Sequence, residues 1–372
     1  MKKIAVVSNL PSWEASVPYC RPASAGHYCV WLSEVCKALE KQKVYEIHWL
    51  ILDKDVKEKK IIETRGQYFH ILPKARLTIG LCTGYIYDTW VILQTLKKIE
   101  PDLVHSWGTE NSYSFAVSHT KYTKLLSVQG LLKACSERAR IAVFERMHAL
   151  YEPYTIQKFQ HITTESPWAS DRVREMASSA NPFFLEYAVE EEFFSQKRRL
   201  AETPTCLYGG TNTPVKNIAS LIKVFSSPEL ANIKLIMAGV KADSFPSAPD
   251  NIRFLGRINR QRMINEMSQA WCLIHPSLAD TGPTIVKEAR VMGLPVLLTT
   301  ECGSKQHIVH GKSGYIVEPR NINAMRDCVL RLTENRETAE SMGRYGQEEC
   351  RQKLSNDTMI RNLLRIYGEI IG

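Results

Sequence analysis

Short runs of apolar residues alternate along this chain with longer stretches in which apolar positions return every three or four residues. Residues 4–7, 47–52, 68–72, 103–105, 125–128 and 162–164 are continuous runs of the kind a strand buried on both faces shows. Between them, 31–39 and 86–99 have helical spacing, with Ile92, Leu93, Leu96 and Ile99 on one side. A further helix is expected over 142–151, stopped by Pro153. Strand and helix in alternation predict a parallel sheet covered by helices.

A polar, charged stretch at 195–204 (SQKRRLAETP) interrupts the pattern, which then resumes. Strands are expected at 205–208, 233–238, 252–255, 271–275, 295–298 and 314–317. Helices are expected near 218–225, 260–269, 284–292, 322–332 and 336–353. A last helix, 358–371, follows Asn356-Asp357 as its cap. The expected organisation is an α/β chain of two Rossmann-like, doubly wound domains, 1–195 and 196–355, facing a cleft. The terminal helix, 356–372, crosses back to the first domain. Open α/β sheets bind ligands beyond the carboxyl ends of their strands.

Composition agrees with this picture. The chain has 372 residues, 44% hydrophobic and 23% charged, enough for about two domains with a core each. These values exclude a disordered tail protein, a collagen-like chain and a small disulfide scaffold. The longest apolar runs are far shorter than the ~20 residues of a membrane-spanning helix. The run at 4–7 is also too short for a signal peptide and reads as a first strand. The 10 cysteines are scattered and form no C-x-x-C pair, which argues against the commonest zinc spacing and for a reduced, cytoplasmic protein. The formal charge of +9 favours an anionic partner: nucleic acid, lipid headgroups or a phosphorylated ligand.

The segment 275–296 (HPSLADTGPTIVKEARVMGLPV) is the most informative. A strand ends in Pro-Ser, a loop carries Asp280, Thr281, Gly282 and Pro283, and a helix begins at Thr284-Ile285. Gly282 permits close backbone approach. A helix start offers free N–H groups suited to phosphate. Seven residues separate Asp280 from Glu288, whose carboxylate accepts paired hydrogen bonds from a diol such as ribose. Spacing alone equally allows a capped strand–loop–helix with Thr284 as cap and Lys287-Glu288 on a solvated face.

This segment resembles the donor-site signature of retaining family 4 glycosyltransferases of the GT-B fold (glycosyl transferases group 1), P-S-x-x-E-G-x-G-x-x-x-x-E-A-x-x-x-G-x-P-V. Pro276, Ser277, Glu288, Ala289, Gly293, Pro295 and Val296 match in register. Asp280 replaces the first glutamate, and Gly282 falls between Thr281 and Pro283, which stand where the family has glycines. Residues 207–217 (LYGGTNTPVKN) resemble the family's G-R-x-x-x-x-K-G loop, with Gly210 and Lys216 in register, Thr211 at the arginine position and Asn212 beside it. Residues 236–240 and 251–257 resemble two further strands of the family, the second placing the backbone at Arg257 near the base. In the first half, Gly26 of 21–27 (RPASAGH) matches the second glycine of a phosphate loop, followed by His27. Residues 101–110 (PDLVHSWGTE) resemble P-D-V-V-H-x-H, with Trp107 at the second histidine, and Gln129 replaces the histidine of V-H-G-L.

The resemblance implies a retaining enzyme that needs no metal and no cofactor beyond a nucleotide-sugar co-substrate carrying uridine or guanosine diphosphate. Glu288 is expected to hold the ribose. Lys216, Gly26 and the helix start at Thr284 are expected on the diphosphate. Asp280 and the backbone of 281–283 are expected at the donor sugar. Asp280, Lys216 and Glu288 are the residues expected to carry catalysis. Ile285, Gly210, Thr211, Asn212 and Arg257 complete the donor site. His27, Trp107, Glu110 and Gln129 are expected on a saccharide or lipid-linked acceptor, in surface polysaccharide assembly. Lys54–Lys60 and Lys97-Lys98 offer basic contacts to an anionic membrane at its inner face. Two other readings remain: a nucleotide-sugar 2-epimerase of the same fold, and a basic nucleic-acid-binding protein. The even spread of positive residues over both halves argues against the second.

Overall fold

The computed structural model describes residues 1–10, 30–76, 80 and 83–372. Two sheets organise it. The first is ordered β3-β4-β2-β1-β5-β6-β7-β8. Its strands are β1 (Lys3–Ser8), β2 (Glu46–Asp53), β3 (Lys60–Thr64), β4 (Gln67–Pro73), β5 (Leu103–Trp107), β6 (Lys124–Ser127), β7 (His161–Thr164) and β8 (Phe183–Phe184). Every pair is parallel except β3 with β4. The second sheet contains β9 (Thr205–Gly209), β10 (Lys234–Ala238), β11 (Ile252–Gly256), β12 (Cys272–His275), β13 (Val296–Thr299) and β14 (Gly314–Val317). Its order is β11-β10-β9-β12-β13-β14, all parallel. That is the doubly wound order, with the crossover between β9 and β12. The α/β fold with two Rossmann-like layers is as expected.

The helices of the first half are α1 (Val30–Gln42), α2 (Ile86–Ile99), α3 (Ser112–Ser118), α4 (Leu132–Arg138), α5 (Val143–Gln157) and α6 (Pro167–Met176). Those of the second are α7 (Ile218–Phe225), α8 (Arg260–Gln269), α9 (Thr284–Met292), α10 (Ile322–Leu332), α11 (Arg336–Arg344) and α12 (Gln347–Lys353), followed by α13 (Asn356–Ile371). One apolar cluster joins a face of the first sheet to α1 and α13 through Leu32, Leu39, Leu363 and Ile366. A second joins the other face to α2, α3 and α6 through Ile92, Val117 and Val173. The final helix, last in sequence, thus belongs to the first core. His105 on β5 ties it down: Nδ1 lies 2.7 Å from the Tyr367 hydroxyl and Nε2 lies 2.7 Å from Ser127 Oγ. Burial pushes the His105 pKa down to about 3, so the ring is neutral and structural.

Two local expectations change and one strand is added. The helix expected to stop before Pro153 runs through it to Gln157. Proline offers no N–H to the preceding turn, at a cost of about 3 kcal/mol in a helix interior. The last turn holds because Thr155 and Ile156 are buried, and because Glu152 accepts from Thr109 Oγ1 (2.5 Å) and the backbone of Leu132 (3.1 Å) and Lys133 (2.8 Å). The single helix expected over 336–353 is two, broken at Gly346, whose φ of +67° is the left-handed region. Residues 60–64, to which the apolar pattern assigns no element, form an antiparallel edge strand because Arg65-Gly66 makes a turn with positive φ at both positions.

Replacing Tyr367 by Phe leaves a buried histidine nitrogen without its partner. We expect a loss of about 1–3 kcal/mol of unfolding free energy, read from urea denaturation, with the helical content of the native state unchanged.

Candidate active site

The carboxyl ends of β9 and β12, either side of the crossover, carry the residues singled out in the second half. β9 leads into Gly210, Thr211 and Asn212, the last two exposed, and then into a short turn of 3-10 helix at Pro214–Lys216. This loop is tied to the one after β12. Leu278 N donates to Val215 O at 2.7 Å, and Asn217 Nδ2 donates to Pro276 O at 3.0 Å. Lys216 Nζ consequently meets Asp280 Oδ2 at 2.5 Å. His275 Nε2, from the end of β12, reaches the same oxygen at 2.9 Å. Burial raises the Asp280 carboxyl, but Lys216 and His275 outweigh it and hold the group well below the usual carboxylate range. Burial keeps His275 below its ordinary value, so it is a neutral donor. An ammonium has three protons, so Lys216, partly exposed, keeps donors for a further anion while holding Asp280.

Helix α9 begins beside this pair. Its N-cap is Pro283, with no side-chain cap, so the N–H groups of Thr284 and Ile285 are not taken by a capping side chain. Ile285 packs onto the end of β9, where a Cβ on Gly209 would stand 2.7 Å from its Cδ1. Only glycine lets strand and helix approach so closely. Arg257 is exposed just past β11, two strands from the crossover on the same edge.

From Ile285 to Met292 every residue of α9 is buried, so Lys287 and Glu288 do not form a solvated face. Glu288 Oε1 pairs with Arg260 Nη1 at 2.9 Å. Arg260 also pairs with Glu190 and lies over the Phe193 ring, 4.4 Å to its centroid. Glu288 is fully covered in this arrangement. Lys287 points to the other domain and pairs with Glu165 at 2.7 Å, both side chains almost fully buried.

The loop at 280–283 is docked against the first domain. Thr281 Oγ1 donates to Gln129 O, and Thr281 O accepts from Ser166 Oγ at 2.7 Å. A Cβ on Gly282 would collide with the Glu165 carboxyl, so glycine here is what lets the two domains meet. Glu110 stands beyond β5, its carboxyl against the backbones of Gly108 and Gly130, next to Gln129. Burial pushes its pKa up to about 7, Glu152 adding to the rise against backbone donors at Glu110, Thr109 and Gly130. Glu110 and Gln129 are thus brought beside Thr281. Trp107 is not. It is 1% exposed and packs in the first core between His105 and Tyr187, 4.7 and 5.3 Å between ring centroids. Side chains two apart on a strand share a face, and His105 already faces α13. The expectation that Trp107 meets an acceptor is therefore corrected. Gly26 and His27 lie outside the described residues. Among the described residues no group of three or more His, Cys, Asp or Glu is placed to hold a metal ion.

Sequence reasoning missed His275, Glu165, Lys287 and Arg260. His275 and Glu165 each follow or end a strand at its carboxyl end, a legible signal. Lys287 and Arg260 have no comparable mark.

Residues 189–349 match the family model described as glycosyl transferases group 1. An uncharacterised glycosyltransferase of Methanocaldococcus jannaschii is 25% identical over 169 residues, 44% of this chain and 48% of that protein. The chain thus spans about half the length of this curated relative. Sucrose-phosphate synthase of Thermosynechococcus elongatus superposes with a TM-score of 0.82 at 15% identity, covering 99% of both chains. HepE of Anabaena, solved in complex with UDP and glucose, does so at 0.73 and 11% identity, over 99% of this chain and 100% of that one. The fold is GT-B.

Two outcomes follow from the interdomain contacts. Glu165→Ala leaves Lys287 buried without its counter-ion and is expected to cost about 3–5 kcal/mol, measured by chemical denaturation. His307 Nε2 lies 2.7 Å from Glu186 Oε1 across the domains. Burial lowers its pKa, but Cys350 and Glu186 outweigh that and raise it to about 9. A histidine raised in the native state stabilises fully below its unfolded value, ~6.5, and the contribution disappears as pH rises through about 9. The melting temperature is expected to fall across that window, and His307→Gln to flatten the fall.

Proposed function

We propose that this chain is a retaining family 4 glycosyltransferase. It moves a sugar from a uridine or guanosine diphosphate donor to a hydroxyl of a saccharide or lipid-linked acceptor, in surface polysaccharide assembly at the inner face of the cell membrane. The observation that carries the reading is the Lys216–Asp280 pair, 2.5 Å apart, beside the α9 start that no side chain caps, at the crossover of the second sheet. Cation and helix start together suit a diphosphate. The HepE complex, with UDP and glucose, supports the choice of ligand class.

In this reading Lys216, Gly26 and the N–H groups at Thr284 and Ile285 stabilise the departing diphosphate. Gly210, Thr211 and Asn212 border it, Arg257 lies near the base, and Glu288 takes the ribose as Arg260 moves. Asp280, kept ionised by Lys216 and His275, and the backbone of 281–283 accept or donate to the sugar hydroxyls. The acceptor hydroxyl attacks the anomeric carbon from the face the diphosphate leaves. The carbon–phosphate oxygen bond breaks, the new glycosidic bond forms, and the acceptor proton passes to the departing phosphate oxygen. Configuration is retained. These residues supply the donors and fixed charges, and no metal enters the scheme. Glu110, Gln129 and His27 are assigned to the acceptor.

Lys216→Ala and Glu288→Ala are each expected to lower transfer by roughly 100-fold or more, while UDP- or GDP-sugar still raises the melting temperature of the parent chain. Full activity in both variants would return the loop to a purely structural role. The anomeric coupling of the product in NMR reports retention. Glu110 changes charge near neutral pH, so Glu110→Gln is expected to flatten the rate profile between about pH 6 and pH 8. An unchanged profile would remove it from the acceptor site.

A further inference from the structure

Helix α5 is turned inside out. The face it buries holds His148, Glu152 and Thr155 beside Ala149 and Ile156. Its solvent face carries Val143, Phe144, Leu150, Tyr151 and Tyr154, of which Val143 is 76% and Leu150 80% exposed. Positions 143, 150 and 154, and 144 and 151, recur at helical spacing, so they form one stripe. Ile86, Tyr87 and Trp90 at the start of α2 are exposed as well, while Tyr85 just before them meets the buried face of α5, its hydroxyl 2.6 Å from His148 Nε2. Apolar and aromatic side chains gathered this way mark an interaction surface rather than isolated exposed residues.

Charge says what covers it. Between Arg138 and Lys158 the acids are Glu145, whose carboxylate takes the Ala142 N–H at 2.8 Å, and Glu152, which is buried. Arg140, Arg146 and Lys158 are exposed. Arg138, Arg140 and Arg146 line, with Glu137, one open groove of about 440 Å³ next to the start of α5; Glu137 is paired with Lys133 at 3.0 Å and Arg138 with Glu301 at 2.9 Å, which leaves Arg140 and Arg146 as its outward cations. An apolar stripe with aromatic residues, bordered by arginines around a groove, matches the acyl boundary and phosphate headgroups of an anionic bilayer. By contrast, acids are interleaved among Lys54–Lys60, and Lys97-Lys98 lie in the last turn of α2, remote from Trp90's turn.

We propose that the outer face of α5 is the surface by which this chain lies on an anionic phospholipid membrane. The proposal rests on the reading of a membrane-held acceptor and deepens it. Glu152, on the opposite side of the same helix, holds Thr109 and the start of α4, next to Glu110 and Gln129. An acceptor anchored under α5 therefore needs to extend only about one helix diameter, ~10–12 Å, to reach the acceptor wall.

The test is flotation of the full chain with phosphatidylcholine vesicles, with and without phosphatidylglycerol. The parent chain is expected to float with the anionic vesicles and to stay behind with the neutral ones. Leu150→Glu and the pair Arg140→Glu with Arg146→Glu are each expected to lower vesicle partitioning roughly tenfold or more. Both variants alter exposed positions, and an unchanged melting temperature and an unchanged nucleotide-induced shift confirm that fold and donor site are intact. Equal flotation of parent and variants overturns the proposal, as does equal binding to neutral vesicles. It is also overturned if the parent fails to float but sediments as a dimer that Leu150→Glu dissolves, which gives the face to a second copy. Because flotation uses neither donor nor acceptor, its result stands apart from that of the transfer assay.

Discussion

Three charged side chains on one short helix, all removed from water, set the terms for the rest of the molecule. Lys287, Glu288 and Arg290 lie within about one turn of α9, and each is at most 1% exposed. A buried charge is tolerated only when paired or fully hydrogen-bonded. Each of the three therefore dictates what lies beside it. Lys287 requires Glu165 from the first domain, Glu288 requires Arg260 from α8, and Arg290 takes the carbonyl oxygens of Leu294, Gly343 and Tyr345. The helix is thereby held from three directions, and its free end points at the place where β9 and β12 part.

The consequence for chemistry is preorganisation. An anion arriving at Thr284 meets donors whose positions are already fixed by interactions deeper in the protein. The same holds for Asp280, clamped by a lysine from the neighbouring loop and a histidine from its own strand. Glycines at 209 and 282 remove the side chains that would otherwise keep strand, helix and partner domain apart. Stability and site geometry come from the same contacts, so the residues that join the domains also set the width of the cleft between them.

On the first domain, polarity is redistributed in an uncommon way. Helix α5 buries a glutamate and a histidine and shows water its leucine, valine and tyrosines. Glu152 inside that helix orders Thr109 and the start of α4, and so shapes the wall that carries Glu110. The cost of exposing the apolar stripe is the counterpart of placing a polar anchor on the inner face.

Much of this was legible before any coordinates. Buried strands announce themselves as runs of Val, Ile and Leu, and their alternation with helical spacing leads directly to two doubly wound sheets. The E-x7-E-like spacing from Asp280 to Glu288 and the lysine at 216 single out two loops that the fold then brings into contact, because motifs of this kind are local. What the sequence could not decide is who meets whom at long range. Nothing near Lys287 names Glu165, 122 positions away, and nothing near Glu288 foretells that Arg260 covers it. Trp107 reads as a cleft residue by its place in a motif, yet strand pleat turns it into the core. Pro153 reads as a stop, yet tertiary burial of Thr155 and Ile156 carries the helix past it. Local periodicity and spacing are properties of the chain itself, so the sequence determined the elements and singled out the loops that the fold brings together at the crossover. Ion pairing, burial and close backbone approach depend on distances between remote segments, and only the tertiary structure decided those.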